Sequence, residues 1–243
     1  MRVRIMQIDK VASRVKHLTL ASINSQPLIP FAAGSHIKVG IPKLASVKPA
    51  PFSLTGSARD ARHYQIIAHR KNNSGRITRW LYDEAIPGEI VEVSEPKCGL
   101  KLHPQAAHHC LVAGGSGITA FFSHLDELRR AGHDYELHYV FRERSEGIWC
   151  DDLRAEHGER VRQYVTSEGE RLDLSRLLSM QPAGTHVYVC GPPRLIQAAV
   201  NAAWRCGFPS EALHWDAYGW RPSAVTTEHA PCAFPWQAAH GVP

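Results

Sequence analysis

Alternating apolar and polar positions dominate the first hundred residues. Leu18 and Leu20 stand between polar neighbours, and Ile37, Val39 and Ile41 recur at every second position of SHIKVGI. PFSLTGS, HYQIIAHR and EIVEVSEP continue the β-rich pattern. A period of two, broken by Gly, Pro, Asn and Ser turns, predicts an antiparallel sheet or small barrel. One stretch departs from it. GRITRWLYDEA, from Gly75 to Ala85, has helical spacing and stops at Pro87-Gly88.

From about residue 108 the rhythm changes. Leu111 to Ala113 form a short apolar strand, a glycine-rich loop follows, and Phe121, Phe122, Leu125 and Leu128 then mark one face of a helix. YELHYVF, RQYVT and THVYVC predict buried strands, PRLIQAAVNAAWRC a helix, and EALHWDAY a last strand. Strands alternating with helices imply a parallel sheet. The expected organisation is a β-barrel over residues 1–103, an α/β parallel-sheet domain over 104–220, and an extended tail or linker over 221–243.

Composition narrows the function classes. The chain has 243 residues, 44% hydrophobic and 21% charged, and a formal charge of +5. That charge is mild, and no basic–aromatic motif accompanies it, so nucleic acid is not an expected partner. No apolar run is long enough to span a membrane. The start, MRVRIMQIDK, lacks the apolar core of a signal peptide, so a cytoplasmic location is expected. The six cysteines at 98, 110, 150, 190, 206 and 232 are scattered without a CxxC. Their spacing predicts neither a disulfide framework nor a zinc site. His108-His109-Cys110 resembles a ligand cluster, but strand neighbours face opposite sides, so no metal is expected there.

Gly114-Gly115-Ser116-Gly117-Ile118-Thr119 lies between a strand and a helix, and Gly115, Gly117 and Ala120 fit G-x-G-x-x-A. Glycines there let backbone approach a ligand, and a helix start attracts phosphate. A tight strand-to-helix turn needs glycine for its own sake as well. The second strand does not end in the acid that usually holds a ribose, because Phe141 is followed by Arg142-Glu143-Arg144. Cys190-Gly191-Pro192-Pro193 forms a second loop of this kind. Two such strand ends would bracket the crevice where open α/β sheets bind ligands.

In order along the chain, PFSLTGS, HYQIIAHRKNNS, VEVSEPK, HHCLVAGGSGIT, YELHYVFR, GERLDL, VYVCGPP and ALHWDAYG resemble the ferredoxin–NADP reductase superfamily. Within it, the resemblance is to the phthalate dioxygenase reductase and vanillate demethylase reductase group. It implies a flavin-binding β-barrel followed by a nicotinamide-binding α/β domain. Phe52, Ser53 and Leu54 would meet the flavin, with Ser53 near its reactive nitrogen. Ala68, His69 and Arg70 would flank it, and Gly75, Arg76, Ile77 and Thr78 would hold its phosphate. Gly114, Gly115, Ser116, Gly117, Thr119, Arg142, Cys190, Gly191 and Pro192 would line the nicotinamide nucleotide site. Cys190 would lie near the hydride-bearing carbon, and Tyr218 against the flavin ring.

Two departures stand out. The family's Arg-x-Tyr-Ser is replaced by Ala50-Pro51-Phe52-Ser53, which removes a phosphate-binding arginine and a tyrosine hydroxyl. Arg70, Arg76, Arg79 and Lys48 are the candidates to replace the charge. Near relatives also carry a plant-type [2Fe–2S] domain after the position of Tyr218, whereas here Cys232 is the sole cysteine beyond it. Electrons are therefore expected to pass to a separate ferredoxin or Rieske oxygenase component. The resemblance favours FMN, with FAD the alternative, and NADH, with NADPH the alternative. The expected function is the reductase component of a multicomponent oxygenase or demethylase. A free-flavin or ferric reductase and a non-catalytic regulatory module are the competing readings.

Overall fold

The computed structural model describes residues 1–60 and 62–216. Tyr218 and the expected 221–243 tail lie outside the described residues. Two compact units result. The first comprises Met1–Lys101 together with Thr119–Glu127 and Ser145–Trp149; the second comprises Leu102–Ile118, Leu128–Arg144 and the chain from residue 150 onward.

The first unit is an antiparallel sheet of seven strands: β1 (Arg2–Ala12), β2 (Val15–Ser22), β3 (Ser35–Gly40), β4 (Ala50–Ser53), β5 (His63–His69), β6 (Ile90–Val93) and β7 (Lys97–Cys98). The order is β4-β3-β6-β1-β2-β5, with β7 pairing β3. Thr55 N donates to Gln65 O at 2.9 Å, which brings the two ends of that path together. Alternation explains the packing. Val3, Ile5, Leu18, Leu20, Ile37, Val39, Ile66 and Val91 point inward and are buried. Each such side chain contributes about 1.5–3 kcal/mol by leaving water. Helix α1 (Arg76–Asp83) adds Ile77, Trp80 and Leu81 to the same core. It is shorter than the helix predicted over Gly75 to Ala85, because Gly75 is its N-cap and Glu84 its C-cap.

The second unit is a five-stranded sheet, every adjacent pair parallel. Its strands are β8 (His108–Gly114), β9 (Tyr135–Phe141), β10 (Val161–Val165), β11 (Thr185–Cys190) and β12 (Leu213–Asp216), in the order β10-β9-β8-β11-β12. The chain leaves β8 in one direction for β9 and later returns on its other side as β11. That is a topological switch point, and the glycine loops follow the two strands that flank it. All seven residues of β8 are buried, as expected of a strand covered on both faces. The glycine loop winds first as a 3₁₀ helix over Gly115–Ala120, and α2 (Phe122–Ala131) begins only after it. Helices α3 (Cys150–His157) and α4 (Leu174–Ser179) have no counterpart in the sequence reading, while α5 (Pro193–Arg205) does. Cys110, Val112, Val187 and Val189 pack with Leu178 of α4 and Ile196, Ala199 and Ala203 of α5. Among the described residues no helix is long and apolar enough to cross a membrane.

Three histidines tie stability to pH. His69, His124 and His214 are all held down to about 4. Burial is the main cause in each, joined by Lys71 and Arg14 for His69, and by His186 and His103 for His214. An imidazole lowered in the fold binds its proton more readily when unfolded. Its contribution is therefore complete above about 6.5 and is lost as pH falls toward 4. Thermal melts should show Tm declining across that window, with a shallower decline in His214→Gln. An unchanged slope in the variant would remove His214 from this account.

Candidate functional site

The two glycine loops of the second unit are built on each other. A Cβ at Gly117 would stand 2.1 Å from the Cys190 carbonyl oxygen, and one at Gly114 would meet Leu195 at 2.6 Å and Pro192 at 2.8 Å. A Cβ at Gly191 would lie 3.0 Å from the Gly114 Cα. Three glycines are thus required for close packing of one strand end on the next. Gly115 has a different reason: its φ is +53°, with open space where a Cβ would go. Register places Cys190 beside Ala113, so both loops emerge at the carboxyl ends of adjacent strands. Gly115, Ser116 and Gly191 are half-buried and Pro192 is exposed, which leaves this rim accessible within the unit.

Helix α5 starts at that rim. Pro192 is its N-cap without a side-chain cap, and its first turn holds no acid. Arg194 lies there instead, exposed. A cation at a helix N-terminus opposes the macrodipole, and an anion bound there would relieve both. The sequence reading missed Arg194; its one signal was a basic residue immediately after Cys190-Gly191-Pro192-Pro193. Cys190 itself is buried, and burial with Asp216 pushes its thiol well above the ordinary range. It is a neutral packing group and not a thiolate nucleophile. Arg142 is exposed after β9 and lies 3.5 Å from Glu143, while Arg144 is paired with Glu168. Thr119 is buried and groups with the first unit.

In the first unit the predicted flavin residues fall on two connected stretches. Phe52 and Ser53 end β4, opposite Ile37 and His36, and with Leu54 are buried. Ala68 is buried and His69 half-buried at the end of β5. The Thr55–Gln65 hydrogen bond sets these stretches side by side, and β5 leads through a short loop into α1. Ser74 closes that loop by accepting from Lys71 N at 2.7 Å. Gly75 caps α1 without a side-chain hydrogen bond, no acid lies in the first turn, and a Cβ there would meet nothing. The N–H groups of Arg76, Ile77 and Thr78 therefore form a second uncapped helix start suited to phosphate.

The ion pairs sort the candidate arginines. Arg70 Nε is 2.9 Å from Asp83, and Arg76 Nη1 is 2.9 Å from Glu84. Arg79 and Lys48 are exposed, and neither has an acidic partner among the described residues. Arg79 is one turn into α1, its N–H bonded to the Gly75 carbonyl. It is the better placed of the two to stand in for the arginine replaced by Ala50.

An antiparallel sheet unit joined to an all-parallel one, with glycine loops at the switch point, is the ferredoxin reductase-like arrangement. Residues 94–213 match the family described as dimethylamine monooxygenase subunit DmmA-like, N-terminal domain. The carnitine monooxygenase reductase subunit of Escherichia coli (strain K12) is 34% identical over 217 residues, 89% of this chain and 68% of that protein. The heme-dependent oxidative N-demethylase beta subunit of Ectopseudomonas mendocina (strain ymp) is 33% identical, over 89% of this chain and 68% of its own. Among solved structures, phthalate dioxygenase reductase superposes with a TM-score of 0.83 at 26% identity, covering 90% of this chain and 68% of that one. It is described as a modular structure for electron transfer from pyridine nucleotides to [2Fe–2S].

The chain belongs to the ferredoxin reductase-like family of oxygenase reductase subunits, which are electron-transfer oxidoreductases. It spans about two thirds of the length of the curated relatives it matches. A flavin and a pyridine nucleotide are the cofactors of this fold.

Proposed function

We propose that this protein takes hydride from NADH and delivers single electrons to a separate iron–sulfur protein, a ferredoxin or the Rieske component of an oxygenase. The observation that carries the reading is the pair of uncapped, acid-free helix starts, one in each unit, each suited to a phosphate. A bound flavin would supply the conversion from a two-electron donor to one-electron transfers.

The chain's own task is binding and orientation. In the flavin unit, residues 1–103 by our division, Arg76 to Thr78 offer backbone N–H groups and Arg79 a charge, while Phe52, Ser53 and Leu54 border the ring. Arg70 and His69 flank that stretch. The nucleotide unit, 104–220, uses Gly114 to Gly117, Gly191, Pro192 and Arg194 for the dinucleotide. We place Cys190 at the nicotinamide as a neutral group, and Thr119, Arg142 and Tyr218 remain part of the proposed set. FMN is favoured over FAD by the resemblance to the phthalate dioxygenase reductase group. NADH is favoured over NADPH because Glu168 already occupies Arg144 and Glu143 accompanies Arg142.

The visible spectrum tests this directly. The purified full chain should carry a flavin absorbance that bleaches with anaerobic NADH, and chromatography of the released cofactor should give FMN. A protein that stays colourless with either flavin would favour the non-catalytic reading. Reduction of an acidic iron–sulfur acceptor should slow with added salt, because Lys71, Lys97 and Lys101 add positive charge to this unit. Reaction with free flavin or ferric chelates alone would favour the partner-free reading.

A further inference from the structure

A cluster at the other end of the parallel sheet is not used by that chemistry. Register pairs Cys110 of β8 with Glu136 of β9, and His138 follows two residues on, so all three share one face. The Cys110 Sγ, a Glu136 carboxylate oxygen and a His138 ring nitrogen lie within 4.8 Å of one another. Cys110 is fully buried, and the side chains of His138 and Glu136 are 1% and 20% exposed. Scanning along the chain finds no ligand spacing here, because the set forms across strands. It is separated from Gly114 by about 13 Å of β8, four residues at the strand rise.

Each polar member is oriented by its other atom. His138 Nδ1 lies 2.9 Å from the Tyr164 hydroxyl. Its buried Nε2 faces Glu136 Oε2 at an ion-pair distance of 3.2 Å, a contact that a cation between the two would replace. With the ring proton on Nδ1, donated to Tyr164, the Nε2 lone pair is left for a ligand. Gln181 Nε2 donates to Glu136 Oε1 at 2.6 Å, which leaves Oε2 turned to the cluster. Histidine and carboxylate ligands are commonly fixed in this way. The 3.2 Å separation is close to the edge of about 3.3 Å in a tetrahedron with metal–ligand bonds of about 2.0 Å. A cavity of about 550 Å³, lined in part by Glu136, His138, Tyr164 and Gln181, reaches the cluster and provides entry.

The geometry points to a site for a zinc-class divalent cation, held by Cys110 Sγ, Glu136 Oε2 and His138 Nε2 with a cavity water as fourth ligand. Thiolate, imidazole and carboxylate together suit Zn²⁺. On binding, the Cys110 S–H bond breaks, a sulfur–zinc bond forms, and the proton leaves through the cavity to solvent. Burial and the neighbouring Glu136 keep that thiol protonated until the cation arrives. The ion would tie β8 to β9.

The full chain, stripped with a chelator, exposed to zinc chloride and dialysed, should retain one zinc per chain by elemental analysis. X-ray absorption should show one sulfur at about 2.3 Å and nitrogen or oxygen at about 2.0–2.1 Å. Calorimetry in two buffers of different ionisation enthalpy should show about one proton released per zinc at pH 7. Glu136→Gln should bind at least tenfold more weakly, and so should Tyr164→Phe, which removes only the orienting hydroxyl. Retention of less than one zinc, no sulfur or more than one sulfur around the ion, or unchanged affinity in both variants would overturn the site. If a variant fails to fold, the absorption spectrum of the unaltered protein decides alone.

Discussion

Gly117→Ala should destabilise the protein by about 3 kcal/mol or more, the upper end of overpacking costs. The new methyl would lie 2.1 Å from the Cys190 carbonyl oxygen and 2.4 Å from its carbon. Both are backbone atoms of β11, and no side chain can turn away to make room. Relief requires one strand end to move off the other, which separates the two loops of the proposed nucleotide site. Tm should fall on the order of 10 °C for a chain of this size. Gly115→Ala makes the matched comparison. It has open space around its Cβ but a φ of +53°, so it should cost only about 1–2 kcal/mol of backbone strain. Equal melting of Gly117→Ala and the unaltered protein would show that the loops do not pack as described.

Arg79→Gln should weaken FMN about 10- to 100-fold, the 1.5–3 kcal/mol of a hydrogen bond to a charged group. Fluorescence titration of the flavin into apoprotein measures it. Riboflavin, which lacks the phosphate, should bind the variant and the unaltered protein alike. Arg76→Gln should do less, because Glu84 already holds that guanidinium. Equal weakening toward riboflavin would place Arg79 at the ring or in the fold, and the phosphate contact would have to be reassigned.

The two rhythms of the chain were legible because each follows from local geometry. Ile37 and Val39 face one side of a pleat, and the runs at 135–141 and 185–190 are mostly buried along both faces, polar residues included. The glycine loops were legible as loops, yet their dependence on each other was not. Only the β8–β11 register reveals that Gly117 makes room for Cys190. Charge partners were hidden for the same reason: Arg70 and Asp83 are thirteen residues apart and meet because α1 folds back beside β5. Cys110, Glu136 and His138 belong to this class too. Helix α3 escaped because CDDLRAEH buries Leu153 and His157 but offers no apolar stripe, and α4 because six residues carry too few turns to show a period.

The make-up of the first unit bears on how the protein emerges from the ribosome. Gly34 N donates to Ser123 Oγ at 3.0 Å, Ser13 N to Ser145 O at 2.8 Å, and His17 meets Trp149 edge to face at 5.0 Å. A nascent chain that has released only its first hundred residues therefore lacks groups its sheet will later bind. At roughly 5–20 residues per second, the missing fifty or so arrive about 2–10 s later. During that interval the seven strands are an unfinished body with apolar surface open, so chaperone contact should concentrate there. Synthesis slowed between codons 101 and 149 would lengthen the exposure and lower the soluble yield without changing a single amino acid.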